Sequence, residues 1–186
     1  MRTIIKQIHT PLLDDIVVNL RAGDKVEITG TIYTARDQAH KRLVASIHRG
    51  EQLPFYLKGQ IIYYAGPAPA PPGKAVGSIG PTTSARMDSY APILVSHGLK
   101  AMIGKGPRSG EVKEALIRYN AVYLAATGGV AALLSSYVRS SELIAYPELG
   151  PEAIYRLEVE SFPVIVAMDA WGGDLYEQSR LIYREI

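Results

Sequence analysis

The sequence predicts an α/β fold with a mixed sheet, and three features of the chain support this prediction. Strand-like runs rich in β-formers dominate the beginning, at residues 16–20 and 25–33. Apolar runs and helical patterns then alternate through the middle of the chain, and two further strand-like runs close it. This order is typical of an α/β sheet with helices packed against it. The length of 186 residues predicts a single domain over residues 1–186.

The first predicted helix covers residues 34–50. Thr34 and Asp37 form a Ser/Thr-x-x-acid pattern that is typical of a helix start. Gly50 is a plausible stop. Apolar residues recur at four-residue spacing along this segment, at Ala39, Leu43 and Ile47.

The remaining elements follow in order along the chain. A Pro/Gly-rich connector, GPAPAPPGKAVG at residues 66–77, cannot form regular structure. The predicted elements are a strand at 61–65, a helix that follows 77–84 and ends near 97, a strand at 101–104, a helix at 109–119, a strand at 122–126, a helix at 128–137, and strands at 155–161 and 164–168.

Composition and charge exclude several classes of protein. The formal net charge is +2 and no basic run occurs, which argues against nucleic-acid binding. The chain has no cysteine, so it can form no disulfide, thiolate metal site or thiol nucleophile, and a reducing cytoplasmic location is expected. The N-terminus lacks an apolar run of signal-peptide length.

One uncharged segment, residues 119–138, is twenty residues long and could in principle span a bilayer. Thr127-Gly128-Gly129 divides it into a β-rich run and an Ala/Leu run, which indicates strand, tight turn and helix instead. No membrane interaction is therefore predicted.

Three possible site motifs are weak. GPAPAPPGK does not match a phosphate loop, because six residues separate its glycines and Ala75 follows Lys74. TGGVAALL either binds an anion at a helix N-terminus or forms a tight turn that lets helix and strand pack closely. The histidines lack metal-ligand spacing and are expected on the surface or in packing roles, although His40 lies four residues after Arg36 and can share its helix face: His9, His40, His48 and His97.

Three cationic residues lie at strand-to-helix junctions. Arg36 and Arg86 are each predicted in the first turn of a helix, and Lys105 follows a strand and precedes another helix start. Ligands of open α/β sheets bind at such junctions, and an arginine there opposes the helix dipole. The pattern leaves two interpretations open: a site for a doubly anionic ligand, or ion pairs with the neighbouring Asp37 and Asp88.

Several blocks of sequence then resemble a known family. They are TARDQAH, YYAGPAPAPPG, GSIGPTTSARMDSY, KGPRSGEV, YLAATGGVAALL and YPELGPEAIYRLEVESFPVIVAMD. Together they resemble the C-terminal domain, or separate β subunit, of class I fumarate hydratases and of L-tartrate dehydratases, over residues 12–174. The resemblance implies a swivelling β/β/α fold.

The resemblance also implies a chemistry and a partner. The family's [4Fe–4S] cluster is held by cysteines of the α part, so this chain would need a cysteine-containing α subunit in a hetero-oligomer, with the active site between the two. The dicarboxylate-binding groups of the family fall on Arg36, Arg86 and Lys105, and its proposed catalytic base falls on Thr82.

Several alternatives stay open at this stage. Thr82 either takes the proton or only positions the substrate, because a hydroxyl is a poor base unless its surroundings deprotonate it. The substrate is either malate and fumarate or L-tartrate. A function of another class is a non-catalytic module that binds small anions or serves as a structural swivel.

Overall fold

The computed structural model describes residues 4–126 and 130–183. Its strands are β1 (Ile5–His9), β2 (Lys25–Thr34), β3 (Ile61–Tyr63), β4 (Ala101–Gly104), β5 (Val122–Ala125), β6 (Val138–Ala145) and β7 (Ile154–Met168). Its helices are α1 (Asp14–Val17), α2 (Asp37–His48), α3 (Ala91–Ser96), α4 (Gly110–Arg118), α5 (Ala131–Ser135) and α6 (Leu175–Tyr183). Two 3-10 turns cover Ser84–Met87 and Pro147–Glu152.

All seven strands belong to one mixed sheet, in the order β1-β2-β3-β4-β5-β7-β6. Strands β1 to β5 run parallel to their neighbours, whereas β7 runs antiparallel to β2, β5 and β6. Because β7 pairs with both β2 and β5, the five strands β2, β3, β4, β5 and β7 close into a ring. The predicted α/β fold with a mixed sheet is confirmed.

Alternation along the strands produces two separate cores. In β3, Ile61 and Tyr63 pack inside the ring of strands, together with residues of β1, β2 and β7. Ile62 and the following Tyr64 face the other way and pack against the apolar faces of α2, α3 and α4. Successive side chains of a strand point to opposite faces, and here both faces are buried. The helices therefore cover the outside of the ring.

Part of the strand prediction is wrong near the N-terminus. Residues 16–20 do not form a strand; the helix α1 ends at Val17, and Val17 and Leu20 both bury their side chains in the inner core. Their spacing of three residues suits a helical turn. A short apolar run in the sequence does not show whether it forms such a turn or a strand.

Strands β1 and β6 and helix α6 are absent from the sequence-based prediction. Among the described residues, strand β6 pairs only with β7, and most of its side chains are exposed or half-buried. A strand at the sheet edge with little burial carries little apolar signal, and this explains why it was missed.

The two predicted strands at the end of the chain form one strand, β7, which passes through Pro163. Its pairing with β6 ends at Val159, and its pairing with β5 begins at Ile165. Among the described residues, Pro163 pairs only with β2, opposite Glu27. No strand of the described part pairs with Pro163 on the opposite edge, so its missing N–H interrupts no hydrogen bond there.

The helix prediction is right in position but wrong in detail. Thr34 belongs to β2, and α2 begins at Asp37 with Arg36 as its N-cap, so the predicted capping pattern does not form. The helix predicted to end near residue 97 is divided into the 3-10 turn Ser84–Met87 and α3. Residues 101–104 and 109–119 match β4 and α4 closely, and Ser109 caps α4 by accepting the Val112 N–H.

Among residues 4–126 and 130–183, the longest helices stay well short of a membrane-crossing apolar segment. The predicted turn Thr127-Gly128-Gly129, and with it the glycines of TGGVAALL, lies outside the described residues; α5 follows it.

Candidate functional site

The candidate site lies beyond the C-terminal ends of three neighbouring parallel strands, β2, β3 and β4. The chain stays hydrogen-bonded past each strand end: Ala35 N donates to Tyr63 O at 3.1 Å, and Tyr64 N donates to Ile103 O at 2.8 Å. These bonds hold the segments that follow the strands side by side. The four residues predicted from sequence, Arg36, Thr82, Arg86 and Lys105, belong to these segments or bond to them.

Arg36 lies between β2 and α2. Its backbone is extended, and its side chain is about a quarter exposed at 25%. One terminal nitrogen lies 3.3 Å from Oε1 of Glu152, and Oε2 of Glu152 accepts the backbone N–H of Gln38. The Nε of Arg36 is buried and has no partner in the part of the chain that is described. Arg36 therefore keeps unused donor capacity.

Thr82 lies on the segment that crosses from the Pro-rich connector to the end of β4. Its backbone N–H donates to Tyr64 O at 2.7 Å, directly after β3. The next residue, Thr83, pairs in parallel with Lys105, and Ser84 N donates to Lys105 O at 3.0 Å. The segment of Thr82 thus extends the sheet between β3 and β4, and Thr82 itself is half-buried.

Arg86 lies in the 3-10 turn Ser84–Met87 and is half-exposed at 50%. Its Nε donates to Oδ1 of Asp37 at 2.8 Å. A turn of four residues has little dipole, so the expected conflict between Arg86 and a helix dipole is smaller than the sequence suggested. The pair links α2 to the turn and brings Arg86 next to the segment of Arg36.

Both arginines form ion pairs in the structure, and a site for an anionic ligand at this position stays a prediction. Both arginines pair with carboxylates, but not with the adjacent ones: Arg36 pairs with Glu152 and Arg86 with Asp37. Asp88 pairs with Arg108 instead. The hypothesis of ion pairs between neighbours in sequence is therefore wrong in its partners.

Lys105 directly follows β4, and its side chain is exposed. Its backbone N–H donates to the Ser84 hydroxyl oxygen at 3.0 Å, which fixes the backbone at this point. Within residues 4–126 and 130–183, the ammonium group has no ion pair or hydrogen bond. Lys105 is thus available to a ligand.

Arg108 is a residue of the site region that the sequence analysis missed. Its side chain is 0% exposed, and its Nε donates to Oδ1 of Asp88 at 2.6 Å. The guanidinium lies 5.3 Å from the ring centre of Tyr64 and 4.9 Å from that of Tyr123. Asp88 Oδ2 also accepts the Ser109 N–H at 2.7 Å. This buried pair fixes the loop after Lys105, and no local signal in KGPRSGE distinguishes the buried cation from the exposed one.

A second buried group, missed in the same way, lies at the end of β4. The Ser84 hydroxyl oxygen lies 2.9 Å from the Tyr123 hydroxyl, which lies equally close to Gly106 O. Gly104 leaves room for this hydroxyl, because a Cβ at that position would overlap Ser84 Oγ. The turn that carries Arg86 is thus fixed to the sheet through Ser84.

His40 supports Arg36 from the first turn of α2, as its position four residues along the helix predicted. Its ring is completely buried, and Nδ1 lies 2.9 Å from Arg36 O, so Nδ1 carries the proton. Burial lowers the pKa of His40 to about 4, which keeps the ring neutral. Nε2 is then an acceptor with no partner among the described residues.

The chain offers no site for a metal cluster in its described part. No group of three or more His, Asp or Glu side chains there converges to hold a metal ion. The whole chain has no cysteine, so it supplies no thiolate. The donor set of this chain does not fit an iron–sulfur cluster.

Comparison with known proteins gives one family match. The family model described as "Fumarase C-terminus" matches residues 3–179 of the chain. The match covers almost the whole sequence, including all four predicted site residues.

Curated relatives fall into two groups by length. The chain is 46% identical over 156 residues to "Fumarate hydratase class I, anaerobic" of Escherichia coli (strain K12), covering 83% of this chain and 28% of the relative. It is 43% identical over 159 residues to "Fumarate hydratase 2" of Leishmania major, covering 84% and 28%. It is 41% identical over 177 residues to "Putative L(+)-tartrate dehydratase subunit beta" of Methanocaldococcus jannaschii, covering 91% of each. The chain thus spans less than a third of the length of these two fumarate hydratases, but nearly the full length of the tartrate dehydratase subunit.

Proposed function

The chain belongs to the fumarase C-terminus family, and from this premise we propose that it is the β subunit of a two-subunit iron–sulfur hydro-lyase. The proposed reaction is the reversible dehydration of malate to fumarate, with the dicarboxylate bound between this chain and a cysteine-containing α subunit. Residues 1–186 form one domain that can swivel against the partner.

One observation carries the proposal: three cationic side chains and a threonine follow neighbouring parallel strand ends. In space, the ends of β2, β3 and β4 are followed by Arg36, Thr82 and Lys105, respectively. Arg86 lies next to Arg36 because its Nε donates to Asp37. We name Arg36, Arg86 and Lys105 the carboxylate clamp. A malate dianion has a carboxylate at each end, and the planar fork of arginine matches two carboxylate oxygens.

The clamp also supports catalysis and not only binding. Removal of a proton beside a carboxylate spreads negative charge onto that carboxylate, so its charge increases in the transition state. Cations held in place beforehand stabilise this increase more than they stabilise the bound substrate. Glu152 holds the guanidinium of Arg36 and Asp37 holds that of Arg86, whereas for Lys105 only the backbone is fixed, by Ser84.

Thr82 is proposed to face the reacting carbon. Its backbone is fixed by the bond to Tyr64 O, and a clamp cation close to its hydroxyl would favour the deprotonated form. Thr82 then takes the proton, or it positions the substrate while a carboxylate of the α subunit takes it.

The iron–sulfur cluster of this enzyme is assigned to the α subunit. This chain has no cysteine and no converging set of metal ligands among its described residues. The contribution proposed for this chain is therefore to bind, orient and stabilise charge on the dicarboxylate.

L-tartrate dehydratase is the second candidate. One relative, matched over 91% of each chain, is named as a tartrate dehydratase subunit. The identities to the two kinds of relative are 41% and 46%, too close to decide.

Turnover by the assembled complex tests the proposal. The full chain is co-expressed with a cysteine-containing partner, the cluster is assembled without oxygen, and malate, fumarate and L-tartrate are assayed. Turnover of either the malate–fumarate pair or L-tartrate is expected and identifies the substrate. If an assembled complex that holds its cluster turns over none of them, the chain is a non-catalytic anion-binding or structural module.

Replacement of a clamp residue tests the site itself. We expect Arg86→Ala to lower kcat/KM about 10- to 150-fold and leave the fold intact, because a charged hydrogen bond of about 1.5–3 kcal/mol is lost at the substrate. The matched control is Arg139→Ala, which removes a similarly exposed arginine whose Nε lies 2.7 Å from Glu160. Circular dichroism and kcat/KM are measured for both. Full activity of the Arg86→Ala complex would show that Arg86 only pairs with Asp37.

A further inference from the structure

Asp37 connects the two arginines of the carboxylate clamp. It directly follows Arg36 in the sequence, and its Oδ1 accepts the Nε–H of Arg86, 49 residues away, at 2.8 Å. The Asp37 side chain is mostly covered, at 22% exposure, whereas that of Arg86 is half-exposed at 50%. The mostly buried carboxylate of Asp37 thus binds the Nε of Arg86, whose side chain is half-exposed.

The bond through Nε leaves the tip of Arg86 available. Arginine can bind a carboxylate end-on through its two terminal nitrogens, and neither of these has a partner within the described residues. The Asp37 bond fixes the plane of the guanidinium, which determines the direction of the end-on fork. It acts on Arg86 without taking the atoms that a ligand needs.

Asp37 is the first residue of α2, where a carboxylate interacts favourably with the helix N-terminus by about 0.3–1 kcal/mol. This interaction does not require a bond to Arg86. The second oxygen, Oδ2, is buried and has no hydrogen-bond partner in the described part of the chain, which is unfavourable for stability. An ion pair with a half-exposed arginine contributes little to folding. The helix N-terminus therefore explains an acidic residue at this position but not its bond to the Nε of Arg86.

We propose that Asp37 is a positioning residue that orients Arg86 toward one carboxylate of the substrate, an inference that rests on the function proposed above. Asp37 does not touch the substrate. It holds Arg86 in the orientation that binds, so that less of the binding free energy is spent on ordering a flexible side chain.

The test measures binding of succinate, a dicarboxylate that has no hydroxyl group to lose, to the assembled complex. We expect the Kd for succinate to rise about tenfold in Asp37→Ala. Asp37→Asn should show a smaller rise, because its side-chain oxygen still accepts the Nε–H of Arg86. The control Glu160→Ala breaks the comparable pair with Arg139 and should leave the Kd unchanged.

A double-mutant cycle separates positioning from a general structural role. If Asp37 acts through Arg86, Asp37→Ala should cause no further loss of succinate affinity in the Arg86→Ala complex. If Asp37 only supports α2, the two losses should add.

Each result decides the inference. Additive losses, or an Asp37→Ala complex that binds succinate as well as or better than the active wild-type complex, overturn it and leave the hydro-lyase function standing. A wild-type complex that neither binds succinate nor turns over any substrate overturns the proposed function and this inference together.

Discussion

Two cations three residues apart have opposite roles in the structure. Lys105 is exposed and, within the described residues, unpaired, whereas the Arg108 side chain is 0% exposed and pairs with Asp88. A buried arginine needs such a partner, because an unpaired charge in the interior is very unfavourable. Burial therefore gives Arg108 a structural role and leaves Lys105 accessible, as its proposed role in binding requires.

His40 gives the stability of the chain a defined dependence on pH. Its pKa in the folded chain is about 4, below the ordinary value of 6.5, so between these values the unfolded chain binds a proton that the folded chain does not. Stability should therefore fall as the pH is lowered from 6.5 to 4, by about 3 kcal/mol from this residue. Denaturant unfolding across this range, compared with His40→Gln, measures the effect. If the free energy of unfolding depended on pH equally in the two proteins, the assignment of this effect to His40 would be wrong.

The turn that carries Arg86 is an element whose position depends on one small residue of β4. Ser84 packs over Gly104, and its hydroxyl oxygen accepts the Lys105 N–H. These contacts fix the 3-10 turn to the end of β4. Helix α2 is tied to the same turn through Asp37 and Arg86. The positions of the three clamp residues, Arg36, Arg86 and Lys105, therefore depend on how closely this turn approaches the sheet.

Gly104→Ala tests that close approach. Its Cβ would overlap Ser84 Oγ and lie 3.0 Å from Tyr64 Cδ2, so the turn must shift away from the sheet. We expect a loss of about 1–3 kcal/mol in the free energy of unfolding. Turnover of the complex should fall as well. Gly110→Ala is the matched control, since a Cβ there meets nothing within 4 Å and should change stability by at most about 1 kcal/mol, toward greater stability. A fully stable Gly104→Ala protein would show that the contact is not needed.

At the scale of the molecule, the closed ring of strands leaves the site on one open surface. Strand β7 closes the ring by pairing with β2 and β5, and α2, α3 and α4 cover its outer face. Two of the clamp residues remain exposed after this packing, Arg86 and Lys105.

On the function proposed above, the purified chain alone should be inactive and free of iron. It supplies no thiolate to hold a cluster, and the proposed active site includes residues of the α subunit. Iron content and turnover are measured on the anaerobically purified chain, with and without the partner. Stoichiometric iron or turnover in the chain alone would contradict the assignment of the cluster to the α subunit.

The sequence by itself determined the α/β fold, the main strands and helices, and the four site residues as a hypothesis. Strong apolar patterns, as in β4 and α4, report burial of one face and are visible locally. The family resemblance, confirmed by the match over residues 3–179, added the chemistry. Weak patterns failed: β6 pairs only with β7 and is mostly exposed, so its existence as a strand depends on its neighbour.

Only the tertiary structure decided which charges meet. Arg86 pairs with Asp37 across 49 residues, and Asp88 pairs with Arg108 rather than with its neighbour Arg86. Such partners depend on the order and register of the parallel strands, which place the segments after β2, β3 and β4 side by side. Residue spacing carries no information on contacts of this range. The tertiary structure therefore shows which cations are paired with carboxylates and which, such as Lys105, have no partner among the described residues.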